Sequence, residues 1–448
     1  MKVLPILFTL YIILSSCNSL EKTGTFIHIS DVHWTKTTSQ NCSKYIDECI
    51  EHSIKSFLKK STVRRPDFVL WSCAGGRLFD KVAKQMKAIF KDTTVLPALP
   101  PIRLPASQKY LTYYQNMSRY FGNWLDHEAY KTFWKAGYYS QSLRKFRNLQ
   151  IIVLNTAFFC HFHMLSELDD PAGQWTWLIL ELAKARNAKK KVYLLLSATP
   201  GVASTFNNRM FAAKHNERYI SVVQAFSDVI TGQFGGYEDG DKFHIFFDLK
   251  GEGCGWLILS PPFYRSARLY FYDMNTTSPV DYVQYKKQKS DWQMQYKFTE
   301  YYSVSNMSTY SFQTIVKQME NKDKLFVKYV VSNRFNPLDP FGLVSGTVNT
   351  VWGWTWWFGQ QLGMFPSHTP IAQKPVFELY ITINPACNHT QMCHRICYCR
   401  LIAVDLRMYI DCVTANKTII FGTDCTIPLR INTFLIYFSY IIIFIFSN

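Results

Sequence analysis

The order of the apolar runs constrains this chain most. Short runs rich in β-branched and aromatic residues recur at Thr25-Phe26-Ile27-His28-Ile29, Phe68-Val69-Leu70-Trp71, Ile151-Ile152-Val153-Leu154 and Val192-Tyr193-Leu194-Leu195-Leu196, with helical stretches between them. Such runs read as buried strands. Residues 173–184 are rich in helix formers and carry apolar Trp177, Leu180 and Leu182, and residues 216–230 place Tyr219, Val223, Phe226 and Ile230 on one helical face. Past residue 240, Phe243-His244-Ile245-Phe246-Phe247, Trp256-Leu257-Ile258-Leu259 and Arg268-Leu269-Tyr270-Phe271-Tyr272 read as consecutive antiparallel strands. Alternating β and α followed by strands predicts a layered α/β sandwich. From about residue 301 the texture changes. Helical signals at 312–328 give way to a Trp-rich run at 351–358 and then to Cys387, Cys393, Cys397, Cys399 and Cys412. This predicts a Cys-rich, partly helical C-terminal subdomain.

The ends of the chain speak to its location. Residues 1–19 carry one early Lys, an apolar run and then small residues, the pattern of a secretory signal peptide; the rival is a bacterial lipoprotein box ending at Cys17. Residues 434–446 are apolar and uncharged, and Gly422-Thr423-Asp424 stand upstream across a polar spacer. Small triplet, spacer and terminal apolar tail match a glycolipid-anchor signal, with a short membrane tail as the alternative. The expected organisation is signal 1–19, main domain 20–300, Cys-rich subdomain 301–424 and anchor signal 425–448, held at an extracellular membrane surface. Sequons at Asn41, Asn116, Asn275, Asn306, Asn388 and Asn416 agree with secretion. Loss of Cys17 with the signal leaves 11 of 12 cysteines, so at least one is free or intermolecular. Cys73, Cys160 and Cys254 compete for that role, Cys73 foremost. The net charge of +17 favours an anionic ligand, but its densest stretch, residues 184–191, borders a helix end and reads as a solvated face, so nucleic acid is not expected.

The chemistry begins where the first run ends, at Ser30-Asp31-Val32-His33. An Asp-x-His just past a strand end opens the site of dinuclear metallophosphoesterases. Asp67 to Ser72, Val95-Leu96-Pro97-Ala98-Leu99, Asp170-Pro171-Ala172-Gly173-Gln174, Thr199-Pro200-Gly201, Gly232-Gln233-Phe234 and Asp281-Tyr282-Val283-Gln284-Tyr285 follow in order. Together they resemble the acid sphingomyelinase-like phosphodiesterases of the calcineurin-like metallophosphoesterase superfamily, closely over residues 24 to 330. The resemblance implies a four-layer α/β sandwich and a two-zinc centre built from five ligand blocks. Only Asp31 and His33 match. Where it implies Trp-Thr-Gly-Asp-Asp, the chain reads Trp71-Ser72-Cys73-Ala74-Gly75, so Ala74 replaces the metal-bridging carboxylate. Pro101 and Ile102 stand for the Asn ligand and the His acid, Ser197 for a His, and Tyr237 for the first His of the last block, with Asp239 in place of the second.

Two cations held at ~3.5–4 Å need a bridging oxygen between them, and without it their repulsion has little to offset it. The expectation is a binding pseudoenzyme on a phosphodiesterase fold. One alternative is an active enzyme on nucleotide or phospholipid phosphoesters, using one metal held by Asp31, His33 and Asp239. The other is a lipid-surface binder working through the Trp run, which otherwise packs between subdomains. Cys160-His161-Phe162-His163 alternate as on a strand and are expected to serve packing or the surface. Cys387 to Cys399 with His389 and His394 resemble a zinc knuckle superficially. In an oxidising compartment these cysteines, with Cys42, Cys49 and Cys412, are instead disulfide candidates.

Overall fold

The computed structural model describes residues 23–32, 46–63, 65–75, 79–102, 109–143, 145, 146, 148–201, 210–238, 240–288, 291–321, 325, 328 and 329. Both terminal segments, the Trp-rich run, the C-terminal cysteines, the sequons at Asn41, Asn388 and Asn416, and residues His33, Cys42 and Asp239 lie outside the described residues.

The described residues form two six-stranded sheets. The first contains β1 (Thr23–Ser30), β2 (Phe68–Ser72), β3 (Thr94–Pro97), β10 (Ser266–Asp273), β11 (Pro279–Gln288) and β12 (Asp291–Lys297), in the order β12-β11-β10-β1-β2-β3. The second contains β4 (Tyr139–Ser142), β5 (Leu149–Val153), β6 (Lys191–Leu195), β7 (Ile230–Gly235), β8 (Lys242–Phe247) and β9 (Gly253–Leu259), in the order β4-β5-β6-β7-β9-β8. β1, β2 and β3 run parallel, as do β5, β6, β7 and β9. Every residue of β2 and β5 is buried, which is why these segments read as unbroken apolar runs rather than alternating ones.

Aromatic rings join the sheets. Phe26 on β1 stacks on Phe68 and Tyr270 within its own sheet, both at 4.7 Å, and meets Phe234 of β7 at 5.4 Å and Tyr193 of β6 at 5.7 Å. Such pairs add about 0.5–1.5 kcal/mol each beyond the area they bury. Helices cover the outer faces. α1 (Ile46–Lys60) sets Phe57 5.2 Å from Trp292 of β12 and lies beside α2 (Phe79–Ile89). α3 (Lys109–Phe121) packs on α4 (His127–Ala136), which starts at an Asp126 cap and stops at Gly137, whose φ of 73° needs the freedom of glycine. α5 (Gln174–Asn187) and α6 (Ala213–Ala225) cover the second sheet, where Tyr219 donates to Gln233 Oε1 at 2.8 Å. After α7 (Phe298–Tyr302), α8 (Thr309–Asn321) stacks Phe312 on Trp256 at 5.1 Å. The architecture is a layered α/β sandwich of two sheets with helices on their outer faces.

Three expectations need correction, and the buried stripe of α5 is defined only by the fold. α5 buries Trp175, Leu178, Leu182 and Ala185, whereas Leu180 is 54% exposed; a helix crowded with apolar residues does not declare which stripe faces inward. α6 ends at Ala225, and Ile230 opens β7. Its spacing from Phe226 suits a continuing helix and a following strand equally. β8 and β9 pair antiparallel, but β10 belongs to the other sheet, between β1 and β11. Pro261 and Pro262 lack the N–H that a ladder needs, so the chain leaves the sheet there, and Phe263 N–H bonds Ser30 O at 2.7 Å. Finally, residues 160–163 are not a strand: Cys160 ends one 3-10 turn and His163 begins the next.

Candidate functional site

Ligand sites of parallel sheets lie beyond the carboxyl ends of their strands, and here the ends of β1, β2, β6 and β7 meet. Asp31, just past β1, bonds Ser72 O through its N–H at 3.2 Å, and its Oδ2 accepts the N–H of Tyr237 at 3.1 Å. Cys73, just past β2, donates its N–H to Ser197 Oγ at 3.0 Å. Ser197 Oγ donates in turn to Ala98 O at 3.2 Å, the carbonyl that also accepts Ala74 N–H at 2.7 Å. Gly236 N–H bonds Ser197 O at 3.1 Å. Asp31, Ala74, Ser197 and Tyr237 are thus gathered from four strand ends. Pro101 and Ile102 continue from Pro100, whose ring lies against Gly75: a Cβ added there would stand 2.5 Å from Pro100 Cγ.

The backbone of the site is strained. Asp31, Cys73 and Tyr237 all adopt left-handed conformations, with φ of 42°, 54° and 70°. Such residues cost of order 1–3 kcal/mol each and cluster where the surroundings enforce them. At Cys73 the cause is legible, since the resemblance implies glycine there and the chain keeps the glycine geometry with a thiol on it. Ser30 and Ser72 also press close to Gly236, where an added Cβ would lie 1.9 Å from Ser30 Oγ and 2.7 Å from Ser72 Oγ.

The donor set does not suit two zinc ions. Ala74, Pro101 and Ile102 offer no ligating side chain, Ser197 is spent on backbone, and among the described residues no three His, Cys, Asp or Glu groups come together to hold a metal ion. The buried Cys73 thiol is pushed well above its usual range, first by burial and then by the Asp31 charge, which favours the thiol over the nucleophilic thiolate. Burial also pushes up the Cys160 thiol, which donates to Thr156 O at 3.2 Å. Tyr237, 40% exposed, flanks the cleft, and its phenol is raised by burial and by nearby Cys160, Cys73 and Asp31. Cys73, Cys160 and Cys254 are free, while Cys49 is disulfide-bonded. Among the described sequon asparagines, Asn116, Asn275 and Asn306 are exposed.

Sequence reading passed over His28. With Phe26 and Ser30 it occupies alternate positions of β1, a period-2 signal for a face turned toward the second sheet. Its Nε2 pairs with Ser72 Oγ at 3.0 Å, its Nδ1 has no partner among the described residues, and burial, then Arg268, hold its pKa well below 6.5. The folded state keeps this ring neutral, while the unfolded chain protonates it near 6.5. Its contribution is therefore complete above pH 6.5 and is lost as pH falls toward the folded pKa, by at most about 1.4 kcal/mol per pH unit. We expect His28→Gln to flatten the dependence of urea-unfolding stability on pH between 6.5 and 5. His163 and His215, also depressed by burial, act in both proteins and cancel in the difference. Equal slopes would remove His28 as the source.

No family model matches the chain. Among curated proteins it is 29% identical over 273 residues to the human cyclic GMP-AMP phosphodiesterase SMPDL3A, a match covering 54% of this chain and 60% of that protein. It is 26% identical over 323 residues to mouse acid sphingomyelinase-like phosphodiesterase 3b, covering 62% and 70%. It is 25% identical over 381 residues to sphingomyelinase phosphodiesterase C of Dictyostelium discoideum, covering 68% and 84%. The chain thus spans three fifths of the human protein's length. A solved dimetal phosphatase from Danio rerio aligns with a TM-score of 0.37 at 12% identity, over 60% of this chain and 98% of that one.

Proposed function

We propose that this homologue of the acid sphingomyelinase-like phosphodiesterases is a binding pseudoenzyme, which keeps the sandwich and the strand-end cleft but has lost two-metal phosphodiester hydrolysis. One observation carries the reading. The position of the bridging carboxylate is the fully buried methyl of Ala74, locked by its N–H to Ala98 O. The remodelling around it extends to the backbone. Gly75, where the resemblance implies a second Asp, sits so close to Pro100 that a side chain would displace the proline. What remains suits recognition: one carboxylate oriented by the Tyr237 amide, a half-exposed phenol, and a net charge of +17 that favours an anionic ligand.

Metal content tests this directly. Secreted protein, purified in the presence of zinc and desalted, is expected to carry less than one zinc per chain by mass spectrometry. Two zinc ions per chain would sink the reading. One tightly held ion, lost in Asp31→Asn, would favour the single-metal enzyme instead.

A further inference from the structure

The 3-10 turns Thr156–Phe159 and Met164–Glu167 follow β5 at the same end of the second sheet as the strand-end cleft. Thr156 Oγ1 accepts Ala198 N–H at 3.0 Å, next to Ser197, and Cys160 stands near enough to Tyr237 to act on its phenol. The segment is therefore part of the cleft's rim. Between residues 161 and 169 only His163 and Ser166 are buried, Phe162 and Leu165 are half-buried, and the others are exposed. Hydrogen bonds rather than apolar packing hold such a segment, which places it at the low-stability end of the fold.

Two imidazoles make the decisive bonds. His163 Nδ1 accepts Leu165 N–H at 3.1 Å and caps the second turn, while its carbonyl accepts Ser166 N–H at 3.0 Å and the Ser166 hydroxyl at 2.7 Å. His215 on α6 accepts the Trp175 indole N–H at Nδ1, 3.0 Å away, and its Nε2 donates to Ser166 O at 2.9 Å, tying the segment to α5 and α6. A backbone N–H and an indole N–H only donate, so each Nδ1 carries a lone pair and both rings are neutral. A proton added at either Nδ1 would face another N–H, and His163 Nε2 has no acceptor among the described residues to compensate.

The groups around the rings oppose charging them in place. His163 faces the Phe158 ring at 5.6 Å, and burial lowers its pKa. His215 packs on the neutral rings of Phe159 and Trp175. Its pKa is lowered first by burial, then by Lys214 and Arg218 of its own helix, against Ser166 O and the Asp169 charge, which raise it. Glu167, Asp169 and the exposed His161 stand on the segment itself, and Asp170 caps α5. Lys214 bonds Glu167 O and Asp169, and Arg218 bonds Asp169 O at 2.9 Å. On the cleft side, the Cys160 thiol and Tyr237 phenol are both raised and hence uncharged at neutral and acid pH.

We propose that residues 161–169 form a pH-operated flap on the rim of the strand-end cleft, closed while His163 and His215 are neutral and released on their protonation. In the released segment the rings meet water and protonate near pH 6.5. The open state then binds more protons than the closed one and gains on it as pH falls below 6.5, by up to about 10-fold per pH unit for each ring, until the closed-state pKa values are passed. The inference holds whether the cleft binds its ligand or hydrolyses it.

Hydrogen exchange of the full-length protein at pH 7.5 and 5.0, corrected for the intrinsic pH dependence of amide exchange, tests the flap. Protection of the Leu165, Ser166 and Leu168 amides is expected to drop at least ~10-fold at the lower pH, while the amides of β6 keep theirs. His163→Asn supplies the Leu165 cap with an oxygen that does not titrate, and His215→Asn does the same for the indole. Each substitution should shrink the drop, and the double variant should abolish it. Equal protection at the two pH values in the unaltered protein overturns the proposal. So does a drop that His163→Asn and the double variant both leave intact, or one that β6 shares, which would report global unfolding.

Discussion

Secreted protein supplied with zinc is expected to hydrolyse bis(p-nitrophenyl) phosphate, ATP and sphingomyelin no faster than buffer, at acidic and at neutral pH. In-line displacement at phosphorus needs an activated water, charge stabilisation on the phosphoryl oxygens and protonation of the leaving oxygen. The bridging ligand that would hold the ions beside that water is Ala74, and the positions implied for the Asn ligand and the His acid are Pro101 and Ile102. Loss of the general acid alone removes ~10²–10⁴-fold, and loss of metal activation several kcal/mol more. The hydroxyls left at the strand ends do not replace either function, because Ser197 is committed to backbone and Ser72, which does meet the His28 imidazole, is fully buried together with it. Ala74→Asp alone should recover nothing, since the other blocks stay empty. Zinc-dependent turnover that Asp31→Asn abolishes would overturn the pseudoenzyme reading.

The largest effect on stability is expected from the buried ion pair beside the second sheet. Arg268, fully buried on β10, bonds Asp241, Gln284 and Leu259 O, and its guanidinium lies 4.7 Å from the centre of the Tyr282 ring. Tyr296 donates its hydroxyl to the same carboxylate. Burial works against the arginine's charge, but Asp241 and the surrounding tyrosines more than offset it, so its pKa lies above the ordinary range. Removing one partner of such a pair leaves an uncompensated buried charge and costs about 3–5 kcal/mol, a large part of the 5–15 kcal/mol that typically stabilises a domain. Asp241→Ala should therefore lower the urea midpoint sharply or prevent secretion of folded protein. The double variant Asp241→Leu/Arg268→Met should recover much of the loss, because it removes both charges and keeps the volume. A single variant that loses under about 1 kcal/mol would show that water reaches the pair.

Those two expectations differ in where their grounds can be read. The emptiness of the ligand positions is a matter of side-chain chemistry, and a methyl at 74 or a pyrrolidine at 101 cannot ligate zinc in any fold. Strand identity was likewise legible at β1, β2, β5 and β6, because burial on both faces imposes continuous β-branched and aromatic runs that survive without knowledge of partners. Spacing also pointed to the strand ends as the place where distant blocks gather. Which stripe of α5 faces inward, where α6 hands over to β7, and which sheet receives β10 were decided by partners remote in the chain. The same holds for the Arg268–Asp241 pair, whose members are separated by two strands, and for the meeting of His215 with Trp175 and Ser166. Cys73 shows both levels at once. Its sequence position marks it as a thiol where a glycine is implied, but its left-handed backbone, its burial and its neighbour Asp31 come from three strand ends meeting. Periodicity and side-chain chemistry are local properties carried by each residue, whereas burial, strain and electrostatic pairing are energies of contact between segments that only the folded chain brings together.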